Sequence, residues 1–504
     1  LWGSKEADVS DALREQRLKK LEELRAQGID PYPTKFVRTH LVAQLHEEFH
    51  GLAAAEETEK RVRVCGRVTA RRVMGGASFY DLRDPSGRIQ LYAAQDHLGI
   101  ERYSLFTSLE IGDFVGITGQ VFRTKRGELS VRVEVLQILA KALRSLPEKW
   151  HGLTDIETRY RQRYLDLLAN EASRQVFITR AKIITAMRRF LDSRGFLEVE
   201  TPTLQPLYGG AFARPFTTYH NELNQTLYLR ISDELYLKRL IIGGFEKVYE
   251  ICKDFRNEGI STKHNPEFTM MECYQAYADY QDMMTLTEEM IHSIANELGQ
   301  TRISYQGHEI DLTPPWRRLT LREAIREKTG IDIEEHADLQ SLTTVVRRKK
   351  LKVELPPSWG RLVDELVSEY VEPDLIQPAF LLDYPVELSP LAKKKKDAPH
   401  LVERFEPFIG GLEIGNAFSE LNDPLDQRER FAQQEERRRQ GDEEAQVLDE
   451  DFVLAMEYGM PPTGGLGIGI DRLAMLFTDS DSIRDVILFP ALRPKQTGKA
   501  QEGS

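Results

Sequence analysis

Phe255-Arg256-Asn257-Glu258, followed by Asn265-Pro266-Glu267-Phe268-Thr269-Met270-Met271-Glu272-Cys273-Tyr274, reads as strand, loop, strand. Pro266 cannot donate to a central ladder, so the turn lies there, and a period of two puts Phe268, Met270, Glu272 and Tyr274 on one face. Acidic and phenolic groups together are unusual on a core strand. The plainer alternative is an amphipathic edge strand with its polar side in water. Outward from this hairpin, strands and helices mix without a βαβ rhythm as far as the C-terminus, which predicts an antiparallel α+β sheet rather than a doubly wound one.

Upstream, Val176, Phe177, Ile183, Ile184, Met187, Phe190 and Leu191 recur at three- and four-residue steps. They predict an amphipathic helix over about 173–194, with Gly195 as its left-handed stop. A polar joint near 147–163 precedes it. Before that, from Arg61 to about Leu143, short apolar alternations such as Val62-Val64 and Val131-Val133-Val135 are punctuated by Gly75-Gly76, Pro85-Ser86-Gly87 and Arg126-Gly127. Several short strands at that spacing predict a small barrel. Leu13, Leu18, Leu21 and Leu24 add an N-terminal helix ended by Gly28. Downstream, about 300–360 reads as an insertion, and the charge runs Lys393–Lys396 and Arg437–Arg439 read as solvated faces.

At 504 residues the chain is long enough for two or three domains, and 41% hydrophobic with 29% charged residues is a globular composition. No run of about 18 uncharged apolar residues marks a membrane span, so a soluble protein is expected. Cys65, Cys252 and Cys273 have neither disulfide nor zinc-ligand spacing, which fits a reducing, cytoplasmic location. No leader is recognised, and Leu1-Trp2-Gly3-Ser4 reads as foreign to the natural chain. The net charge is -12, yet residues 61–150 carry 15 Lys+Arg against 9 Asp+Glu, a local net of +6. The barrel is therefore the candidate polyanion face. There Phe79, Tyr80 and Tyr92 interleave with Arg71, Arg72, Arg83 and Arg88, a pattern suited to unstacked bases. The alternative for any one of these rings is barrel core.

Two further segments carry chemistry. Gly464-Gly465-Leu466-Gly467-Ile468-Gly469-Ile470-Asp471-Arg472 lacks both GxGxxG spacing and a Walker lysine. It still offers close backbone approach to a nucleotide beside a cation able to pair a phosphate or cover a base. In Glu413-Ile414-Gly415-Asn416-Ala417-Phe418-Ser419-Glu420, alternation places Asn416, Phe418 and Glu420 together: amide, ring and carboxylate for a carboxylate, a methylene chain and an ammonium. Glu406 and Glu413 could share a hard divalent cation.

Together these segments resemble the class II aminoacyl-tRNA synthetases, and within them the lysyl-tRNA synthetases with an N-terminal OB-fold, over nearly the whole chain. Gly195-Phe196-Leu197-Glu198-Val199-Glu200-Thr201-Pro202 is similar to motif 1, Phe255–Tyr274 to motif 2 and Gly465–Arg472 to motif 3. The resemblance implies a multi-domain chain: a helical extension at 1–60, an OB-fold anticodon-binding barrel at 61–146, a linker at 147–172, and an α+β catalytic domain at 173–504. Its antiparallel sheet would be of the class II synthetase type, with the inserted helical segment at about 300–360.

It implies a lysine–tRNA ligase that forms lysyl-adenylate and pyrophosphate from lysine and ATP, then charges lysine tRNA. Arg256 and Arg472 would be the catalytic cations. ATP would meet Arg256, Glu258, His264, Asn265, Phe268 and Arg472, and magnesium would meet Glu406 and Glu413. Lysine would meet Gly210, Glu234, Arg256, Glu272, Tyr274, Asn416, Phe418 and Glu420. Arg72, Phe79 and Gln90 would read the anticodon, and motif 1 would build a homodimer. Two departures stand out: Ser232-Asp233 replaces the usual Ala-Pro before Glu234, and Leu207-Tyr208 precedes Gly209 in place of a smaller, proline-bearing turn. An aspartyl or asparaginyl relative would need a cation where this chain offers carboxylates.

Overall fold

The computed structural model describes residues 2–146, 153–356, 358–439 and 445–494, with the side chains of 2–10 excluded. The expected joint lies partly outside these residues, at 147–152. The chain divides into two compact units, Leu1–Thr154 and Asp155–Ser504.

In the first unit, β1 (Glu57–Met74), β2 (Ala77–Asp84), β3 (Gly87–Ala94), β4 (Phe114–Arg123) and β5 (Leu129–Ala140) close in the order β1-β2-β3-β5-β4. All pairs are antiparallel except β3 with β5. Alternation sends Val62, Val64, Leu82, Leu91, Val131 and Val133 inward to one core. Two glycines permit the closure. A Cβ on Gly66 would lie 2.4 Å from the Arg83 carbonyl oxygen, and one on Gly119 would lie 2.0 Å from that of Arg132. Helix α1 (Trp2–Ala26) ends before Gly28, whose φ is +73°. Arg17 of α1 donates to the Ala142 and Arg144 carbonyls at 2.8 and 2.9 Å, and Lys20 pairs with Glu110 at 2.5 Å.

The second unit is built on a nine-stranded sheet. Its strands are β6 (Leu197–Glu198), β7 (Lys247–Phe255), β8 (Glu267–Ala276), β9 (Arg317–Thr320), β10 (Ala379–Leu382), β11 (Arg404–Ile409), β12 (Leu412–Glu413), β13 (Gly415–Ser419) and β14 (Thr463–Gly469). Their order is β9-β10-β11-β13-β14-β8-β7-β6, with β12 beside β11. The inner pairs are antiparallel, as expected, but β6 with β7 and β9 with β10 are parallel, so the sheet is mixed at both ends. Helical connections carry the chain back before these strands pair, and the hairpin signal at Pro266 says nothing about them. The stretch 300–360 holds a hairpin, Arg302–Tyr305 with His308–Asp311, then β9 and the helices Leu321–Thr329 and Leu339–Lys349.

Alternation divides β8 between two worlds. Met271 and Cys273 face a core made with helices Glu171–Ser193, Tyr280–Leu298 and Ile470–Phe477, which contribute Ile183, Met187, Met290, Ile291, Leu473 and Ala474. The first of these helices covers the predicted span, and Gly195 follows it at φ +78°. Asp471 locks this arrangement: one oxygen accepts from Arg180 at 2.6 Å and the other from the Thr269 amide at 2.7 Å. Among the described residues, no helix is long and apolar enough to cross a membrane.

Candidate active site and barrel face

The other side of the sheet holds the predicted polar residues. In register across three strands, Glu272 lies opposite Gly467 and then Asn416, while Tyr274 lies opposite Gly465 and then Phe418. β8 is therefore a central strand, and the edge-strand alternative does not hold. The glycines between the two polar strands make the hollow. A Cβ at Gly465 would sit 2.0 Å from Glu420 Oε1 and 2.7 Å from the Tyr274 ring; one at Gly467 would sit 3.2 Å from Met270 Cε. Their neighbour Gly464 serves the opposite face, where a Cβ would meet Met283 at 2.9 Å. Gly465 and Gly467, two residues apart, thus open the hollow, and Gly464 on the other face admits the helix Tyr280–Leu298.

The hollow concentrates buried acid. Glu234, Glu272 and Glu420 are 6%, 6% and 1% exposed. Glu272 accepts from the Tyr274 hydroxyl at 2.9 Å and from Ser232 Oγ at 3.0 Å. Burial pushes the Glu272 carboxyl up, with the nearby Asp254 charge adding to it. Glu420 is pushed well above the usual carboxylate range by burial, against the pull of Lys238. Burial also raises Glu234 to about 7, again opposed by Lys238.

Lys238 itself was not singled out by the sequence. Its Nζ forms ion pairs with both Glu234 and Glu420 and lies 5.3 Å from the centre of the Phe418 ring. It stands four residues after Glu234 on the helix Glu234–Ile242, a spacing that could have revealed it. Gly210, at φ +89°, packs its backbone against this corner, since a Cβ there would meet Ser232 Oγ at 2.8 Å and Glu234 Cβ at 3.1 Å. The Leu207-Tyr208 departure is accommodated at the turn: Leu207 is exposed, and Tyr208 is buried with its ring 4.9 Å from that of Tyr228.

Toward the motif 2 loop, the Arg256 guanidinium lies 5.0 Å from the Phe268 ring centre, and its backbone N–H closes the hairpin onto Pro266 at 2.9 Å. Arg472 donates to the Glu413 carbonyl and carboxylate at 2.6 and 2.9 Å. Partial desolvation, with Arg472 next, holds the His264 imidazole below its usual range, and Arg256 also contributes. Both arginines therefore act on the same loop. Glu258 lies exposed two residues after Arg256. Asn265 is buried, and its side-chain oxygen accepts from the Ala491 amide at 3.1 Å, so it ties the loop down.

Glu406 and Glu413 stand on neighbouring strands. Glu406 accepts from Arg404 and from the Tyr384 hydroxyl, each at 2.6 Å. Burial lifts its carboxyl to about 7, Arg404 opposes that, and the charge of Glu413 adds to it. Two mutually repelling carboxylates are a donor set suited to a hard divalent cation. Arg404 also donates to Asn416 Oδ1 at 2.8 Å, linking this corner to the hollow. Arg404 precedes Glu406 by two residues on β11, a strand-face signal the sequence reading did not use.

On the barrel, Arg72 pairs with Phe79 across β1 and β2. The Phe79 ring lies 5.1 Å from Tyr92, which lies 5.8 Å from Phe122, with Arg132 5.0 Å from the Phe122 ring centre. Phe79 and Tyr92 are half-buried in this row, whereas Tyr80 is fully buried core, so the two readings of the rings divide by strand parity. Gln90 is 8% exposed, and its Oε1 accepts from Ser130 Oγ at 3.1 Å. Phe122 and Arg132 extend the row beyond the residues picked from sequence.

Comparison with known proteins agrees with this layout. Residues 155–493 match the family described as tRNA synthetases class II (D, K and N), and residues 62–139 match the OB-fold nucleic acid binding domain. A lysine–tRNA ligase of Roseiflexus sp. (strain RS-1) is 59% identical over 486 residues, covering 96% of this chain and 99% of the relative. Those of Carboxydothermus hydrogenoformans and Chloroflexus aurantiacus are each 56% identical, covering 95% and 96% of this chain and 97% and 98% of the relatives.

Proposed function

This chain belongs to the lysine–tRNA ligases, OB-fold-bearing members of the class II tRNA synthetases that use ATP, and on that premise we propose how its residues divide the work. The hollow takes lysine. Glu272, Tyr274 and Glu420 receive the ε-ammonium, Phe418 covers the methylenes, Glu234 with the Gly210 backbone receives the α-ammonium, and Arg256 with Asn416 holds the carboxylate. The observation that carries this reading is the cluster of buried carboxylates on a face kept open by Gly465 and Gly467. A buried ammonium requires acidic partners, and an aspartate side chain would be repelled there.

ATP lies beside Phe268, with Arg472 and His264 toward its base and outer phosphates and Glu258 reading the adenine. Asn265 contributes by holding the loop. The substrate carboxylate attacks the α-phosphorus, pyrophosphate leaves, and the fixed arginines stabilise the charge that grows on the phosphoryl oxygens better than mobile water could. Glu406 and Glu413 would hold magnesium, which when bound neutralises phosphate charge and orients the leaving group. No protein nucleophile is required.

The barrel reads the anticodon of lysine tRNA, with Phe79 as stacking platform, Arg72 as cation and Gln90 as reader of a base edge. Motif 1 is the dimer surface, a reading supported by the two-residue terminal strand β6 and by exposed Leu197 and Ile178. The free cysteines fit a reducing, cytoplasmic setting. ATP–pyrophosphate exchange tests the pocket: exchange should depend on lysine, and dependence on aspartate instead would overturn the assignment.

A further inference from the structure

Behind the proposed ε-ammonium site lies a second layer of acid. Carboxylate oxygens of Asp233, Asp254 and Glu272 lie within 4.8 Å of one another, and all three residues are buried. Among the described residues, Asp233 Oδ1 and Asp254 Oδ2 have no hydrogen-bond partner, although both residues are 0% exposed. Among the described residues, the donor to the Asp233 side chain is the weak Cys252 thiol at 3.7 Å. Glu272 is held by two neutral hydroxyls, those of Ser232 and Tyr274.

The surrounding charges are committed elsewhere. From the segment before the helix, Arg230 pairs with Glu250 at 2.7 Å and reaches Asp254 at 3.7 Å. From the helix, Lys238 is shared by Glu234 and Glu420. From β11, Arg404 serves Glu406 and Asn416. Arg256, following β7, lies over Phe268 and eases Asp254. Asp233 and Glu272 thus face one another with no cation of their own among the described residues. Two carboxylates at such separation in a buried site do not both ionise readily; they share a proton. Burial and the neighbouring Glu272 and Asp254 charges accordingly hold the Asp233 carboxyl well above the usual range.

We propose that Asp233 and Glu272 share one proton in the free protein and that the ε-ammonium of the incoming substrate displaces it, so that binding lysine releases a proton. This rests on the lysine pocket proposed above. The carboxyl O–H bond breaks, its electron pair stays on the oxygen, the proton passes to solvent, and one ammonium replaces one proton. Asp233, in sequence only a departure from the usual Ala-Pro before Glu234, becomes a positioning residue that acts through Glu272. It prevents the free pocket from holding uncompensated charge and links lysine affinity to pH.

Titration calorimetry of the full chain with L-lysine, in buffers of different ionisation enthalpy between about pH 6 and 8, counts the proton. Close to one proton should leave per lysine at the acid end. Lysine Kd should then fall about tenfold for each pH unit until the free pair loses the proton unaided. In Asp233→Asn the release should vanish and the slope of Kd with pH should flatten. Lysine binding without proton release in the wild-type protein overturns the proposal, and if the Asn variant does not fold this count decides alone. Release unchanged in the Asn variant also overturns it, by moving the proton to Glu234. Release that disappears in EDTA assigns the cluster to a metal cation instead. Glu420→Gln keeps the two readings apart: if lysine affinity is unaffected, the pocket assignment itself fails; if affinity drops and no proton is released, only this proposal does.

Discussion

The barrel and the sheet solve opposite problems. The barrel presents half-buried Phe79, Tyr92 and Arg132 in one row with the buried Phe122 over an apolar interior, so the Phe79 and Tyr92 rings keep part of their surface in water and need little support. The sheet buries Glu234, Glu272 and Glu420 and must supply Lys238, Ser232 and Tyr274 to keep them there. A surface ring can be removed with a local loss. A buried carboxylate belongs to a network, because its desolvation is offset only while its partners stay in place.

The contrast can be broken by substitution, and the largest effect should come from the sheet. Arg256→Ala should lower the rate of lysine-dependent ATP–pyrophosphate exchange by about 100- to 1000-fold, the range for losing one fixed stabilising group at a reacting centre. A loss below tenfold would show that the motif 2 arginine is not essential to activation. Next, Glu420→Gln should raise the KM for lysine by about 30-fold or more, as expected when one member of a buried charge pair is removed, while the KM for ATP hardly moves. A defect selective for ATP would contradict the pocket. In the barrel, Phe79→Ala should weaken tRNA charging by about tenfold, the scale of one lost stacking contact, and leave exchange nearly unchanged. Equal loss of both activities would abolish the division between the units.

The smallest effect sharpens the comparison inside the barrel itself. Tyr80→Phe removes a hydroxyl that donates to the Thr107 carbonyl at 3.3 Å. It should cost about 1 kcal/mol of stability in denaturant melts and leave tRNA binding unchanged. Neighbours one residue apart would then differ in kind: one reads, the other holds the wall.

How much was legible follows from the range of each signal. Period-two spacing correctly placed Glu272 with Tyr274 and Asn416 with Phe418, since strand geometry requires it whatever the surroundings. Three- and four-residue steps placed the apolar stripe of the helix Glu171–Ser193, whose Ile183, Met187 and Leu191 reach the core. Period-two spacing could not distinguish edge from centre, because β8 is central only through its pairing with β14, nearly 200 residues later. Nor could it assign the glycine run. In sequence that run suggested nucleotide approach, and in the fold Gly465 and Gly467 open a pocket while Gly464 admits a helix.

The sequence by itself thus determined the elements, the residues sharing each strand face and, through its three motifs, the family. Tertiary structure alone decided which acids are buried, that Lys238 stands between Glu234 and Glu420, that Arg404 ties Glu406 to Asn416, and that Asp233 faces Glu272. The physical reason is the reach of the forces involved. Backbone periodicity is set by covalent neighbours, whereas the cost of a charge depends on the solvent it loses and on partners brought from distant parts of the chain.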